Sequence, residues 1–245
     1  WSGGAKSIQP GICGVDTTAV VHLNSSLDWP ERFGNAENDI RLDIEEIAKK
    51  AGLKFIVNTI LNLNEEMVHV VAGEPKTAHR RGVQYAQEVY QQEVTVRPDV
   101  VIVGSYPANR DLWQAGKALA AGCMSVRKNG TIILAAPCFE GAYPEHPDVM
   151  QLGTMDPVEI FNLSKSGKFS DVVGSTGYIS AGVMRQMAKV ILVSDGIDQK
   201  TTEYLGYKYA PSIPEAIHIA RELEGDNAKF GLLTHGADLV PRVME

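Results

Sequence analysis

Along most of this chain, apolar residues recur at helical spacing and give way at intervals to short continuous apolar runs, the pattern of helices alternating with buried strands. Over residues 39–51, Ile40, Ile44 and Ile47 fall on one helical face, Lys49 and Lys50 fill the last turn, and Gly52 ends it. Asp43, Glu45 and Glu46 are expected on the solvated side of that helix. Residues 54–63 predict a strand that turns through Asn64 and Glu65 into a hairpin partner over residues 66–72. A long helix follows over residues 75–92, with His79, Gly82, Tyr85 and Ala86 at helical spacing. His79, beside Arg80 and Arg81, is either an active-site candidate or an exposed helix histidine. The helical pattern stops between Gln91 and Pro98, where the proline introduces a new strand, so a boundary between two units, 1–96 and 97–245, is expected there.

The second unit opens with the apolar run 99–103, which suits a buried parallel strand. A helix over residues 111–126 follows, capped by Asp111, with Leu112, Ala115, Leu119 and Cys123 as its apolar stripe. After the turn Asn129-Gly130, residues 131–135 form a second strand, which completes a right-handed βαβ unit. A helix over 182–190, a strand over 190–193, a helix over 212–224 and a strand over 229–233 continue the alternation. The expected fold class is therefore α/β. It begins with the end of a mixed α/β N-terminal domain and continues as a Rossmann-like C-terminal domain of about four largely parallel strands, without G-x-G-x-x-G. Ligands in such folds sit at the carboxyl ends of the strands, here residues 104–109 and 136–141.

Composition narrows the function classes. At 245 residues the chain is long enough for two units, and 44% hydrophobic content describes an ordinary globular protein. A net charge of −7 without a basic run argues against nucleic acid as a partner. The apolar runs are far shorter than a membrane span and no basic leader precedes an apolar core, so no membrane partner is expected and the cytoplasm is the simplest location. Three cysteines, Cys13, Cys123 and Cys138, without C-x-x-C, suggest neither a disulfide framework nor a zinc site, and read as small apolar residues unless Cys13 is exposed.

Candidate chemistry gathers in the first two dozen residues. Gly3, Gly4, Gly11 and Gly14, with Pro10, bend the backbone into turns that hold Lys6 and Ser7 between them. The lysine does not close a G-x-x-x-x-G-K-[ST] pattern, so this is not a Walker A loop. The stretch is either a surface turn or a ligand loop. His22, among Ala19, Val20, Val21 and Leu23, either faces that loop or is a core histidine.

The run Ser2-Gly3-Gly4-Ala5-Lys6, then Pro10-Gly11, then His22 sixteen positions after the lysine, resembles the segment of nickel-dependent lactate racemases (LarA-like proteins) that carries a nickel-pincer nucleotide. The likeness continues through Ala72-Gly73-Glu74-Pro75 with His79, Gly104-Ser105-Tyr106-Pro107, Leu112 to Leu119, Gly130 to Ile133, Glu140-Gly141 and Thr234-His235-Gly236-Ala237, nearly the whole chain. The resemblance implies that Lys6 holds the nucleotide covalently through a thioamide, with Gly3 and Gly4 beside it, and that His22 ligates nickel. It implies that Gln114 and Lys117, one turn apart on a helix, reach the substrate as catalytic residues. Tyr178 falls near a position where the family often has a tryptophan beside the cofactor, which puts substrate size in question. The family's two acid/base histidines and its phosphate-binding arginine arm precede the lysine loop. A missing N-terminal segment is therefore an expected partner, and this chain alone is expected to be inactive.

The activity so implied is racemisation or epimerisation of a small 2-hydroxy acid. Its Cα–H is too weak an acid for easy deprotonation, and reversible hydride transfer to the cofactor avoids that step while the protein supplies tether, ligand and orientation. Two other classes stay open: a metabolite- or nucleotide-binding protein of the same fold without the chemistry, and an NAD(P)-dependent dehydrogenase, which the missing glycine fingerprint disfavours.

Overall fold

The computed structural model describes residues 1–244, and the chain divides into two units, Trp1–Gln91 and Gln92–Glu245. In the first unit a single 3-10 turn, Gly4–Ser7, precedes α1 (Val15–Ser25), a one-turn α2 (Trp29–Arg32) and α3 (Asp39–Lys50). A hairpin of β1 (Ile56–Leu61) and β2 (Met67–Gly73) and then α4 (Pro75–Tyr90) complete it. Asn38 caps α3 by accepting the Arg41 amide at 2.8 Å, and Gly52 with φ +89° ends it, as the sequence pattern predicts. Ala5, Val21, Ile44 and Ala48 form one buried cluster, with Ile8, Ile40 and Ile47 packed against it.

The hairpin is antiparallel, with Ile56 opposite Gly73 and Thr59 opposite Val70. One face, carrying Ile56, Ile60 and Val71, is buried, and α4 packs on both strands through Ala78 and Val83. The alternate residues Val57, Val68 and Val70 are exposed. Two expectations about charge need correction. Glu45 is not solvated: its side chain is 13% exposed and accepts from Arg41 Nε at 3.0 Å and Arg80 Nη1 at 2.6 Å. His79 is buried rather than exposed, on the same face of α4 as Val83.

The second unit starts with β3 (Gln91–Val94), where only a linker was expected, and β9 (Val240–Val243) pairs with it. Its main sheet is β4 (Val100–Gly104), β5 (Thr131–Ala135), β6 (Lys189–Val193), β7 (Lys208–Tyr209) and β8 (Phe230–Leu233). The order is β7-β6-β5-β4-β8, and every neighbouring pair is parallel. The sheet thus has five strands, not four, because a two-residue strand carries no periodicity to read.

Successive residues of a strand face opposite ways, and both faces are covered. On one face Val100, Ile133 and Ile191 pack with Ala216 and Ala220 of α9 (Ile213–Glu224). On the other, Val103 and Ile132 meet α5 (Leu112–Ser125), where Gly122 permits close approach: a Cβ there would stand 3.1 Å from Ile132 Cγ2. The connection from β5 to β6 holds a 3-10 segment (Pro147–Leu152), α6 (Pro157–Lys165) and α7 (Val172–Met187), and α8 (Gln199–Tyr204) precedes β7. The helix expected over 182–190 is thus the end of a longer one. Gly177 and Gly182 interrupt its apolar pattern because they lie against the Trp113 ring and Pro157.

Below the amino ends of the strands, the Glu224 carboxylate is 1% exposed and accepts from Thr131 Oγ1 at 2.5 Å, Lys189 Nζ at 2.6 Å and the Arg127 guanidinium. Burial raises its pKa, but the bonds from Lys189 and Thr131 outweigh burial and hold it below the ordinary glutamate value. A depressed folded-state pKa contributes stability above the unfolded pKa and loses it as pH falls through the folded one. Glu224→Gln should therefore lower stability at pH 7 by roughly 2 kcal/mol, the low end for a buried ion pair because both cations are near 40% exposed. Urea unfolding at a series of pH values should show the wild-type advantage disappearing below about pH 4.

Candidate functional site

The glycine loop belongs to the first unit and is held there by side chains. A single 3-10 turn cannot satisfy its own flanking backbone groups, so partners must come from elsewhere. The Gly4 amide donates to Asn58 Oδ1 of β1 at 2.8 Å, and Arg41 Nη2 of α3 donates to the Gly3 carbonyl at 3.2 Å. His79 of α4 meets the Ser2 carbonyl through Nε2 at 2.9 Å, and Arg80 Nη1 lies 3.0 Å from its Nδ1. Guanidinium only donates, so Nδ1 accepts and the proton sits on Nε2. Burial first, then the Arg41 charge, lowers the His79 pKa to about 4, and the ring is neutral.

These contacts give a reason for the glycines that the sequence did not supply. Gly3 and Gly4 have φ of +74° and +60°, and a Cβ on Gly4 would stand 2.8 Å from Arg41 Nη2 and 3.0 Å from His79 Cδ2. The close approach they permit is to the protein itself. Lys6 follows on the half-exposed side of the turn, next to buried Ala5.

His22 lies in α1, half-buried, with Nδ1 2.9 Å from the Thr18 carbonyl. A carbonyl only accepts, so Nδ1 carries the proton and the Nε2 lone pair stays available. Burial lowers the His22 pKa, the bond to Thr18 opposes this, and the Lys6 ammonium adds to the lowering. Lys6 is thus near enough for its charge to be felt at the imidazole. Cys13 is half-buried, whereas Cys123 and Cys138 are buried with thiols pushed up to about 12 by burial. Among the described residues no group of three or more His, Cys, Asp or Glu could hold a metal ion.

In the second unit the Asp111 side chain accepts the Gln114 amide at 2.8 Å and caps α5. Lys117 Nζ donates to Gln114 Oε1 at 2.6 Å, so the expected pair does share one face, with Lys117 exposed and Gln114 half-buried. Tyr178 differs from expectation: it has 0% exposure and its hydroxyl donates to the Gly153 carbonyl at 2.5 Å. Burial raises that phenol to about 12, and the side chain is core, packed against the Tyr143 ring. Sequence reasoning missed Arg41, Asn58 and Arg80 as anchors of the loop. The only signal for them was Arg41 four residues before Glu45. It also missed His146, which lies 2.8 Å from Asp171 Oδ2 and against the Trp113 ring.

A five-stranded parallel sheet with helices on both faces, carrying a lysine–glutamine pair on α5, defines the second unit as a doubly wound α/β domain. Residues 91–240 match the family model described as the lactate racemase C-terminal domain, and the chain belongs to that family. It is 29% identical over 249 residues to the lactate racemase of Thermoanaerobacterium thermosaccharolyticum and 28% identical over 251 residues to that of Lactiplantibacillus plantarum. These alignments take in 99% and 98% of this chain but 58% of each relative, so the chain spans less than two thirds of their length. The structure of the lactate racemase apoprotein from T. thermosaccharolyticum superposes with a TM-score of 0.88 at 26% identity, over 98% of this chain and 59% of that one. A structural-genomics protein from Thermotoga maritima shares the fold, with a TM-score of 0.74 at 18% identity over 99% of this chain and 63% of that one. Among the described residues no helix is long and apolar enough to cross a membrane.

The anchoring of the loop predicts a local effect. In His79→Ala the amides of Gly4 and Lys6 should exchange hydrogen about tenfold faster, the size of one lost buried hydrogen bond, while those of β5 keep their protection. The acid dependence has a definite sign. With a folded pKa of about 4 against an ordinary 6.5, the stability that neutral His79 contributes is whole above pH 6.5 and is lost as pH falls to about 4, because the unfolded chain takes the proton first. His79→Gln should flatten stability across that window in a denaturant titration.

Proposed function

We propose that this chain is the larger, C-terminal part of a 2-hydroxy-acid racemase or epimerase that works with a nickel-pincer nucleotide tethered through Lys6, with His22 as the nickel ligand. The observation that supports the reading is the bond from His22 Nδ1 to the Thr18 carbonyl, which leaves Nε2 as the unprotonated nitrogen within reach of the Lys6 charge. Family membership supports the reaction class, and the names of the lactate racemase relatives support a lactate-like substrate.

The residues present fit the group. Neutral imidazole suits Ni(II), and a ring whose other nitrogen donates to a backbone carbonyl has its orientation and its free lone pair fixed together. Among the described residues no cluster of three His, Cys, Asp or Glu could hold a metal, so a metal at His22 would take its remaining ligands from the group that Lys6 would carry. The loop that bears Lys6 is immobilised at Ser2, Gly3 and Gly4, so a group attached to the lysine starts from a fixed backbone. When bound, the nucleotide supplies a hydride acceptor for the Cα–H bond, which spares the enzyme a carbanion.

On the second unit, Lys117 supplies a compact positive charge for the carboxylate or hydroxyl oxygen of the substrate, and Gln114 orients it through the 2.6 Å bond. The proton acceptors on the two faces of the planar intermediate belong to a segment upstream of Trp1. That segment, the small 2-hydroxy acid and the nucleotide are the proposed partners.

Two measurements test the reading. Protein produced beside the cofactor-making enzymes should gain several hundred daltons on Lys6, and nothing in Lys6→Ala. Under the same conditions His22→Ala should keep the adduct and lose nickel. An unmodified Lys6 in folded protein, or full nickel occupancy in His22→Ala, overturns the assignment.

In a version extended upstream that turns over a 2-hydroxy acid, Lys117→Ala should cut turnover by about a hundredfold, the worth of one charge-assisted hydrogen bond at a desolvated site. Its nickel content and Lys6 adduct should match the wild type. Wild-type turnover would return Lys117 to the solvated face of α5.

A further inference from the structure

The carboxyl ends of β4, β5 and β6 border a cavity of about 320 Å³ that contains none of Gln114, Lys117 or Tyr178. Ser105, directly after β4, lines it with 1% exposure, and its hydroxyl has no hydrogen-bond partner among the described residues. Buried hydroxyls are nearly always paired, because leaving one unpaired forfeits its hydration without return. Asn109 and Ser194 add further polar groups to the wall, and Asp195, exposed at the end of β6, places a carboxylate at the mouth. The Ser194 hydroxyl already donates to the Pro137 carbonyl at 2.9 Å, so towards the cavity it can only accept.

The remaining wall is apolar, including Val193 and Ile213, with the half-exposed Tyr106 ring held edge-on against His235. A second cavity of about 580 Å³ shares Ser194 and Asp195, and brings Glu140 and Asp198. Neither lining holds a lysine or arginine.

We propose that this crevice binds an uncharged ribonucleoside, independently of the chemistry assigned to Lys6 and His22. The end of a parallel sheet is where such folds take ligands. A carboxylate at a strand end can accept both hydrogens of a vicinal diol, and it repels phosphate and carboxylate groups. The apolar walls suit a flat base, and Ser105 and Asn109 offer donors and acceptors to its edge. A volume of about 320 Å³ lies at the small end of ligand pockets, which suits a nucleoside.

The test uses the whole 245-residue chain and adenosine as probe, followed by amide chemical shifts of residues 104–109 and 193–196. Adenosine should saturate these shifts, and 2′-deoxyadenosine and adenosine 5′-phosphate should each bind at least about tenfold more weakly. Asp195→Asn and Ser105→Ala should each weaken adenosine by a similar factor. Thermal unfolding of Ser105→Ala should be unchanged or slightly higher, because a hydroxyl without a partner contributes nothing to the free fold. Shifts that do not saturate at millimolar adenosine, binding untouched by both variants, or a 5′-phosphate that binds as well as the nucleoside would each overturn the proposal.

Discussion

Two backbone groups at the start of the chain, the carbonyl of Ser2 and the amide of Gly4, have no helix or strand to satisfy them, and the Gly3 carbonyl receives only the 3.3 Å bond from Lys6 inside its turn, so the first unit adds side-chain partners from three different elements. Arg41 comes from α3, Asn58 from β1 and His79 from α4, so the loop holds its shape only when all three are in place. A second layer fixes the fixers. Glu45 accepts from both Arg41 and Arg80, and Arg80 occupies the second ring nitrogen of His79. Removing Asn58 leaves the buried Gly4 amide without its acceptor, and removing Arg80 leaves His79 Nδ1 without its donor, which costs more than the bond itself was worth.

The second unit obeys a different constraint. A parallel sheet buried on both faces needs two sets of apolar side chains per strand, and β4, β5 and β6 provide them as unbroken runs of Val, Ile and Leu. With both faces taken by α5 and α9, the chemistry is pushed to the ends of the strands. The amino ends carry the Asp99, Arg127, Lys189 and Glu224 network. The carboxyl ends carry the cavities and the unpaired Ser105. One end is fully satisfied and the other is not, and that asymmetry separates structural from ligand-facing polarity.

Much of this was legible in the sequence wherever a residue announces an end. Gly52 after α3 and Asp111 before α5 mark helix ends whose chemistry does not depend on the rest of the fold, whereas the caps Asn38 and Ser212 were not read. The strands 131–135 and 229–233 were legible as apolar runs. What failed did so for local reasons: β7 has two residues, and the glycines of α7 remove apolar side chains where Trp113 and Pro157 press against the helix. In the charged stripe of α3, Asp43 and Glu46 are exposed as read, and Glu45 is not, because sequence spacing cannot show that Arg80, 35 positions away, closes over it. For the candidate site, the shared helix face of Gln114 and Lys117 could be read, but the burial of Tyr178 and the anchors of the loop could not.

Two histidines lie beside the same loop, and their hydrogen bonds give them different capacities. Both are kept neutral chiefly by burial, and both donate one ring proton to a backbone carbonyl. In His79 the remaining nitrogen accepts from Arg80, so no lone pair is left and the ring can only hold backbone. In His22 the remaining nitrogen is Nε2, and the bond from Nδ1 to Thr18 fixes it as the unprotonated one. In the unmodified chain the nearby Lys6 ammonium also disfavours protonation of that imidazole. The second ring nitrogen separates them: His79 is spent on structure, and His22 retains what a soft-to-intermediate metal requires.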